Sequence, residues 1–132
     1  RTPVEVPVAG LAALNRTDAH LGGLEDRLAD MEASLDDVER FVEADTAFHV
    51  ELARATGNSA LVLLTQALTA LIQKERTFML HFHEQELLSA IESHRELLET
   101  VRAGDAEATR AAMQSHLDRV GARLEAIEPP EA

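Results

Sequence analysis

The chain has 132 residues, with 12 basic against 24 acidic side chains, a formal net charge of −12, four Phe and no Trp, Tyr or Cys. This length predicts one domain. The lack of Cys excludes disulfides and thiolate metal sites. The negative charge argues against binding of DNA or of an anionic membrane by this chain itself. The first ten residues show no signal peptide, and the apolar stretch 60–72 is too short and too polar to span a bilayer, so we expect a cytoplasmic protein.

Helix-forming residues dominate, and helix-breaking residues fall at intervals that suit helix ends. The first stretch, 1–14, contains prolines and a glycine, yet its segment VAGLAAL is typical of the end of a helix. Thr17 or Asp18 then suits the N-cap of a second helix that runs to about Met31.

The third predicted helix follows an N-cap at Ser34 or Asp36. It runs from about Asp37 to Thr56, and Gly57 is its natural stop because glycine readily takes the backbone conformation that ends a helix.

Three further helices complete the expected set. Asn58 caps a fourth helix through SALVLLTQALTALIQKERTF. Residues 84–102 form a fifth that ends at Gly104, and Asp105 caps a sixth that runs to about Ile127.

Short connections between these helices favour antiparallel neighbours. The sequence therefore predicts an all-α fold, an antiparallel bundle of about six helices. We expect one domain over residues 1–128 and a frayed tail over 129–132.

Polar side chains interrupt the apolar faces of three of the helices. Asp45 and His49 lie on the apolar stripe of the third helix, one turn apart, so their side chains point the same way. His94 and His116 interrupt the stripes of the fifth and sixth helices. A single such His is most often a hydrogen-bonded core residue, and an Asp four residues before a His is often a surface pair. Together, however, three imidazoles and a carboxylate suit Zn²⁺, Ni²⁺, Co²⁺, Fe²⁺ or Mn²⁺.

Motifs along the chain resemble those of one known family. EADTAFHVELARATGN (43–58) resembles the D-x-x-x-H…GN signature of the FCD domain, the C-terminal effector domain of FadR-subfamily GntR transcription regulators. SAIESHRELLETVRAGDAEATRAAMQSHLDRV (89–120) resembles the H-R-x-[IL]-[IL], Gly-Asp and M-x-x-H-[IL] elements that follow. Arg1, Glu5 and GLAAL are similar to the family's opening helix.

The resemblance implies a bundle of six or seven helices with a divalent metal in its interior. In the metal-containing branch of the family, one Asp and three His bind the ion, which here implies Asp45, His49, His94 and His116. We expect zinc first, with Ni, Co, Fe or Mn as alternatives. The branch that binds acyl-coenzyme A lacks this set, so an acyl-coenzyme A ligand is disfavoured.

The same resemblance implies an effector-sensing and dimerisation domain. A small carboxylate or hydroxy acid is expected to fill the open positions on the metal, while an arginine pairs with the anion. Homodimers, and DNA binding through an N-terminal winged helix-turn-helix absent from this chain, are also implied; no membrane is expected as a partner. The candidate arginines, with the first ranked highest, are Arg1, Arg76, Arg95 and Arg102.

Two other functions compete with this interpretation. The first is a structural-metal or metal-sensing helical domain without an organic ligand. The second is a metallohydrolase, which we disfavour because the sequence contains no HExxH and no His with a Glu three residues before it. We therefore predict that the chain is not an enzyme.

Overall fold

The computed structural model describes residues 2–82 and 85–127, and side chains over 4–81 and 85–122. Within these ranges the chain is helical, with short connections and no strand, which confirms the predicted all-α bundle of about six helices. The predicted tail 129–132 lies outside the described residues. The helices are α1 (Thr2–Asn15), α2 (Asp18–Glu32), α3 (Val38–Arg54), α4 (Ser59–Phe82), α5 (Gln85–Arg102) and α6 (Ala106–Ile127).

The N-cap of α3 differs from the prediction. Asp37 caps the helix, because its Oδ1 accepts a hydrogen bond from the backbone N–H of Arg40 at 3.2 Å. The predicted caps, Ser34 and Asp36, lie in the preceding turn. The Ser34 hydroxyl instead donates to the carbonyl of Asp30 at 2.8 Å, so Ser34 belongs to the end of α2.

Other helix ends match the sequence. Gly57 (φ 73°) and Gly104 (φ 70°) follow α3 and α5 in the left-handed conformation that a side chain would strain. The side chains of Asn58 and Asp105 accept hydrogen bonds from first-turn backbone N–H groups of α4 and α6, and Thr17 does the same for α2.

Packing places α3, α5 and α6 around a common interior. Helix α2 packs on α3, α3 on α4 and α5 on α6, and short connections make these pairs antiparallel, while α1 lies along α6. The largest fully buried apolar side chains contribute roughly 1.5–3 kcal/mol each by leaving water. They are Leu24, Met31, Phe41, Val42, Phe48, Leu52, Met79, Leu80, Leu97, Val101 and Met113.

Helix α4 has an apolar side that faces away from the core. Residues 59–73 carry no charged side chain. Neither α4 nor any other helix in the described ranges is long and apolar enough to cross a bilayer. We call the exposed large apolar side chains of α4 the α4 stripe: Leu63 (68% exposed), Leu64 (42%), Leu71 (76%) and Phe78 (55%).

Candidate metal centre

The four residues predicted to bind a metal converge in the interior. Asp45, His49, His94 and His116 are each at most 6% exposed. One ring nitrogen from each histidine lies within 4.8 Å of the others. Asp45 Oδ1 lies 2.6 Å from His94 Nε2 and 3.4 Å from His49 Nε2. The bundle thus brings the four side chains from α3, α5 and α6 into one cluster, which periodicity could not show.

Each histidine ring is held in place by a contact at its Nδ1 atom. Because Nδ1 already has a contact, Nε2 is the ring nitrogen that can bind an ion at the centre of the cluster. The Nδ1 contacts are His94 with the Ala90 carbonyl at 2.6 Å, His116 with Ser93 Oγ at 2.9 Å, and His49 with Glu5 Oε1 at 3.3 Å.

The contact between His94 and Asp45 requires a cation. The Ala90 carbonyl can only accept a hydrogen bond, so His94 Nδ1 carries a hydrogen. His94 Nε2 then faces Asp45 Oδ1 at 2.6 Å. Without a positive charge between them, the nitrogen lone pair and the carboxylate would repel each other. A proton or a metal ion held between the two atoms would satisfy this contact.

Opposite charges within the cluster offset one another. Burial alone would raise the pKa of Asp45, but the charges of His94 and Arg76, with contacts from two histidines, hold that pKa well below its ordinary value. Burial alone would lower the pKa of His49, yet the adjacent carboxylates of Asp45 and Glu5 raise it to about 9. His49 is therefore protonated at neutral pH. A bound divalent ion would replace this proton, since a metal ligand must be a neutral imidazole.

Two further observations fit a divalent metal. Burial and the positive charges of His94 and His49 lower the pKa of His116 well below its ordinary value, so this ring is neutral and can donate a lone pair. His49 Nε2 is buried and makes no hydrogen bond, an arrangement that costs free energy unless another partner satisfies the atom.

Arg76, one of the four predicted arginines, lies at the cluster. Its Nε donates to Asp45 Oδ2 at 3.1 Å, and the residue is only 7% exposed. Arg76 and His116 line two small adjoining cavities of about 10 Å³ each, about the space that one water molecule needs. Thr69 and Gln73 line the second of these cavities. A buried guanidinium beside a cavity favours an anionic ligand over a cationic one.

The other predicted arginines are not part of this arrangement. Arg95 pairs with Glu32 at 3.2 Å and Arg102 with Glu25 at 2.8 Å, both on exposed faces of α5, because neither residue shares the inward register of His94. Arg1 lies outside the described residues.

Three residues at the site were missed by sequence reasoning. Arg119 lines the first cavity and contacts Ser89; its position three residues after His116 on the same helix was a usable signal. Glu5 is the only acidic residue of the otherwise apolar α1, and Ser93 directly precedes His94. Both residues are buried, and each contacts a histidine ring that belongs to another helix.

Comparison with known proteins shows what the chain is similar to. It matches the FCD domain family over residues 1–119. It is 33% identical to the HTH-type transcriptional regulator LutR of Bacillus subtilis (strain 168), over 91% of this chain and 57% of the relative. It is 30% identical to the galactonate operon transcriptional repressor of Escherichia coli (strain K12), over 96% of this chain and 56% of the relative.

The chain thus spans a little over half the length of these relatives. A solved structure, E. coli McbR/YncC, has the same fold, with a TM-score of 0.84 at 20% identity over 97% of this chain and 65% of the other. These relatives are transcription regulators, which confirms the prediction of a regulatory rather than an enzymatic domain. The chain belongs to the FCD domain family.

Proposed function

We propose that this chain is the effector-sensing and dimerisation domain of a bacterial GntR/FadR-type transcription regulator. It holds one divalent metal, zinc as first choice, and through the metal a small carboxylate or hydroxy acid. DNA binding belongs to a winged-helix domain outside this chain, because a net charge of −12 would repel DNA. The greater length of the relatives leaves room for such a domain. A protein that acts on operator DNA works in the cytoplasm.

The observation that carries the metal proposal is the cluster itself. Three buried histidines offer nitrogens within 4.8 Å of one another, and a buried carboxylate lies beside two of them. Three imidazoles and one carboxylate are a common donor set for a divalent transition metal. A metal bound there would supply a Lewis-acid anchor for the oxygens of an organic acid. The metal content of the purified domain tests this proposal.

Arg76 supports the proposal of an acidic effector. Its guanidinium is buried between two small polar cavities next to His116, where water competes weakly for the charge. Arginine binds a carboxylate with two parallel hydrogen bonds more readily than lysine does. Arg119 also lines the first cavity, together with the carboxylate of Glu86.

A closed structural metal, or a metal that is itself the signal, is the second candidate. Arg76 favours it in one respect, since its Nε already has a carboxylate partner within the protein, Asp45. The two candidates differ in whether an organic acid stabilises the metal-loaded domain.

The α4 stripe supports the proposed homodimer. Its four large apolar side chains are between 42% and 76% exposed, and the surrounding helix lacks charge over residues 59–73. Large exposed apolar patches on a folded protein usually mark a contact surface. Two copies, each with a charge of −12, repel each other over most of their surface, so the uncharged stretch 59–73 is a favourable place for them to meet.

The spacing of α4 is compatible with two-fold pairing. Leu63, Ala67 and Leu71 follow one another at intervals of four residues and are all exposed. If two α4 helices cross antiparallel at Ala67, Leu63 of one copy meets Leu71 of the other, as a self-complementary two-fold interface requires. The small Ala67 side chains would allow close approach at the crossing point.

Charging the α4 stripe is expected to separate the dimer. The Leu63→Glu/Leu71→Glu variant should weaken self-association by more than about a hundredfold, because each buried Leu contributes roughly 1.5–3 kcal/mol. Sedimentation equilibrium at micromolar concentration measures this change. Leu88→Glu on α5 is the matched control, since Leu88 is 64% exposed but lies outside the stripe.

A second measurement tests the pairing geometry. Because the parent has no Cys, an Ala67→Cys variant should form a disulfide between two copies under mild oxidation. A parent that sediments only as a monomer, or a Leu88→Glu variant that dissociates as readily as the double variant, would contradict the proposed interface.

A further inference from the structure

We propose that Glu5 positions His49 for the metal and thereby couples the metal site to α1. The inference rests on the proposed metal function and adds to it a residue outside the predicted ligand set. Glu5 lies on α1 and is 2% exposed. Its Oε1 lies 3.3 Å from His49 Nδ1, and both side chains are 3% exposed. A carboxylate is rarely buried this deeply unless it has a specific role for its charge.

The contact fixes which nitrogen of His49 faces the cluster. A carboxylate accepts a hydrogen bond from Nδ1–H, and this leaves the lone pair of the neutral ring on Nε2. Nε2 is the atom that lies 3.4 Å from Asp45 Oδ1 and makes no hydrogen bond. Without Glu5, the ring would lose the partner that holds both its tautomer and its orientation. Partners of this kind raise the metal affinity of a histidine without touching the metal.

His49 depends on a different part of the bundle from the other two histidines. His94 is held by Ala90 of its own helix, and His116 is held by Ser93 of the neighbouring α5. His49 alone is held from α1, through Glu5. A shift of the His49 ring, when metal or effector binds, therefore acts directly on α1. In the proposed regulator, the DNA-binding domain precedes α1, so Glu5 links the metal site to the helix that is nearest to that domain in the sequence.

Zinc affinity of Glu5 variants tests this role. With Zn²⁺ as the probe and a competing chelator, Glu5→Ala is expected to weaken binding by about 10- to 100-fold. Glu5→Gln should fall between parent and Glu5→Ala, because an amide oxygen still accepts the Nδ1 hydrogen bond but carries no charge. Glu5→Gln also preserves the side-chain volume, so it keeps the test valid if Glu5→Ala does not fold.

A control separates positioning from simple loss of packing. Val8→Ala removes a buried side chain from the same helix and no partner of His49, and we expect it to lower the melting temperature without weakening zinc binding. Long-range ¹H–¹⁵N spectra of the zinc-loaded domain report the tautomer of His49. The parent should show hydrogen on Nδ1, and Glu5→Ala should show a broadened or mixed signal, which a purely structural role would not produce.

The outcomes are distinguishable. One outcome is that the parent binds zinc and both Glu5 variants bind it with an affinity within about twofold of the parent, against the expected 10- to 100-fold loss. In that case Glu5 does not position His49, but the metal proposal still stands. If Val8→Ala weakens zinc binding as much as Glu5→Ala, packing of α1 explains the effect and the inference is wrong. If the parent itself binds no zinc, the metal proposal and this inference fail together.

Discussion

Purified without added metal or chelator, the domain is expected to carry about one equivalent of a divalent ion, as one four-ligand site holds. The His49→Ala/His116→Ala variant should carry little. Loss of an outer partner of a metal ligand costs roughly 10- to 100-fold in affinity, so loss of two ligands should cost well over a thousandfold. Elemental analysis by mass spectrometry, normalised to protein concentration, measures both values.

The control for this measurement removes two histidines away from the cluster. His20→Ala/His81→Ala should retain the metal of the parent, because His81 is an exposed partner of Glu39 and His20 contacts the Thr17 cap. Circular dichroism should show that all variants stay helical. If the parent holds no metal even after incubation with Zn²⁺ or Ni²⁺, the cluster is an ion-paired core network of Asp45, Glu5, His49, His94 and Arg76.

Small hydroxy acids are expected to raise the melting temperature of the metal-loaded domain. A ligand at about a hundred times its Kd stabilises the folded state by about 2.7 kcal/mol. For a domain of this size, that corresponds to a rise of about 10 °C. At a saturating metal concentration, Arg76→Gln should bind the acid about 10- to 100-fold more weakly than the parent, because a charge-assisted hydrogen bond contributes roughly 1.5–3 kcal/mol. Thermal shift across acid concentrations gives the affinities.

The acid panel spans three to six carbons and includes galactonate, since one relative is the repressor of a galactonate operon. Arg102→Gln is the matched control, because Arg102 pairs with Glu25 on an exposed face and should leave acid binding unchanged. If no acid in the panel stabilises the metal-loaded parent, the organic-acid proposal is wrong and the metal-only function takes its place.

Helix ends in this protein are predictable because local chemistry sets them. Gly57 and Gly104 stop their helices, and Asn58 and Asp105 start the next ones, through contacts within a few residues. The same local chemistry explains the misassigned cap of α3. Ser34 and Asp37 are both good N-cap residues, and only the geometry at the end of α2 decides between them.

The candidate site was predictable only in part, because its members meet through the packing of separate helices. The helical period places Asp45, His49, His94 and His116 on inward faces, and the family motifs group them. Arginine side chains are harder to place from the sequence than these four residues. An arginine reaches several ångströms from its backbone, so the sequence did not separate the buried Arg76 from the exposed Arg95 and Arg102.

Glu5 shows a second limit of sequence reasoning. Its partner His49 is 44 positions away along the chain (49 − 5), and no local period connects α1 with α3. The sequence contains two usable clues, a single carboxylate within a mostly apolar helix and the match of Glu5 to the opening motif of the family. Neither clue identifies the partner of Glu5.

The order in which the cluster is assembled follows from its helices. Asp45 and His49 leave the ribosome first, His94 much later, and His116 only with the last described helix. A growing chain that has not yet completed α6 therefore offers an incomplete ligand set. Because α1 also waits for α6 as its packing partner, the bundle closes and the ligand set becomes complete in the same late step. An ion held by the complete ligand set would bind no earlier than this step, so it would stabilise the closed bundle rather than the growing chain.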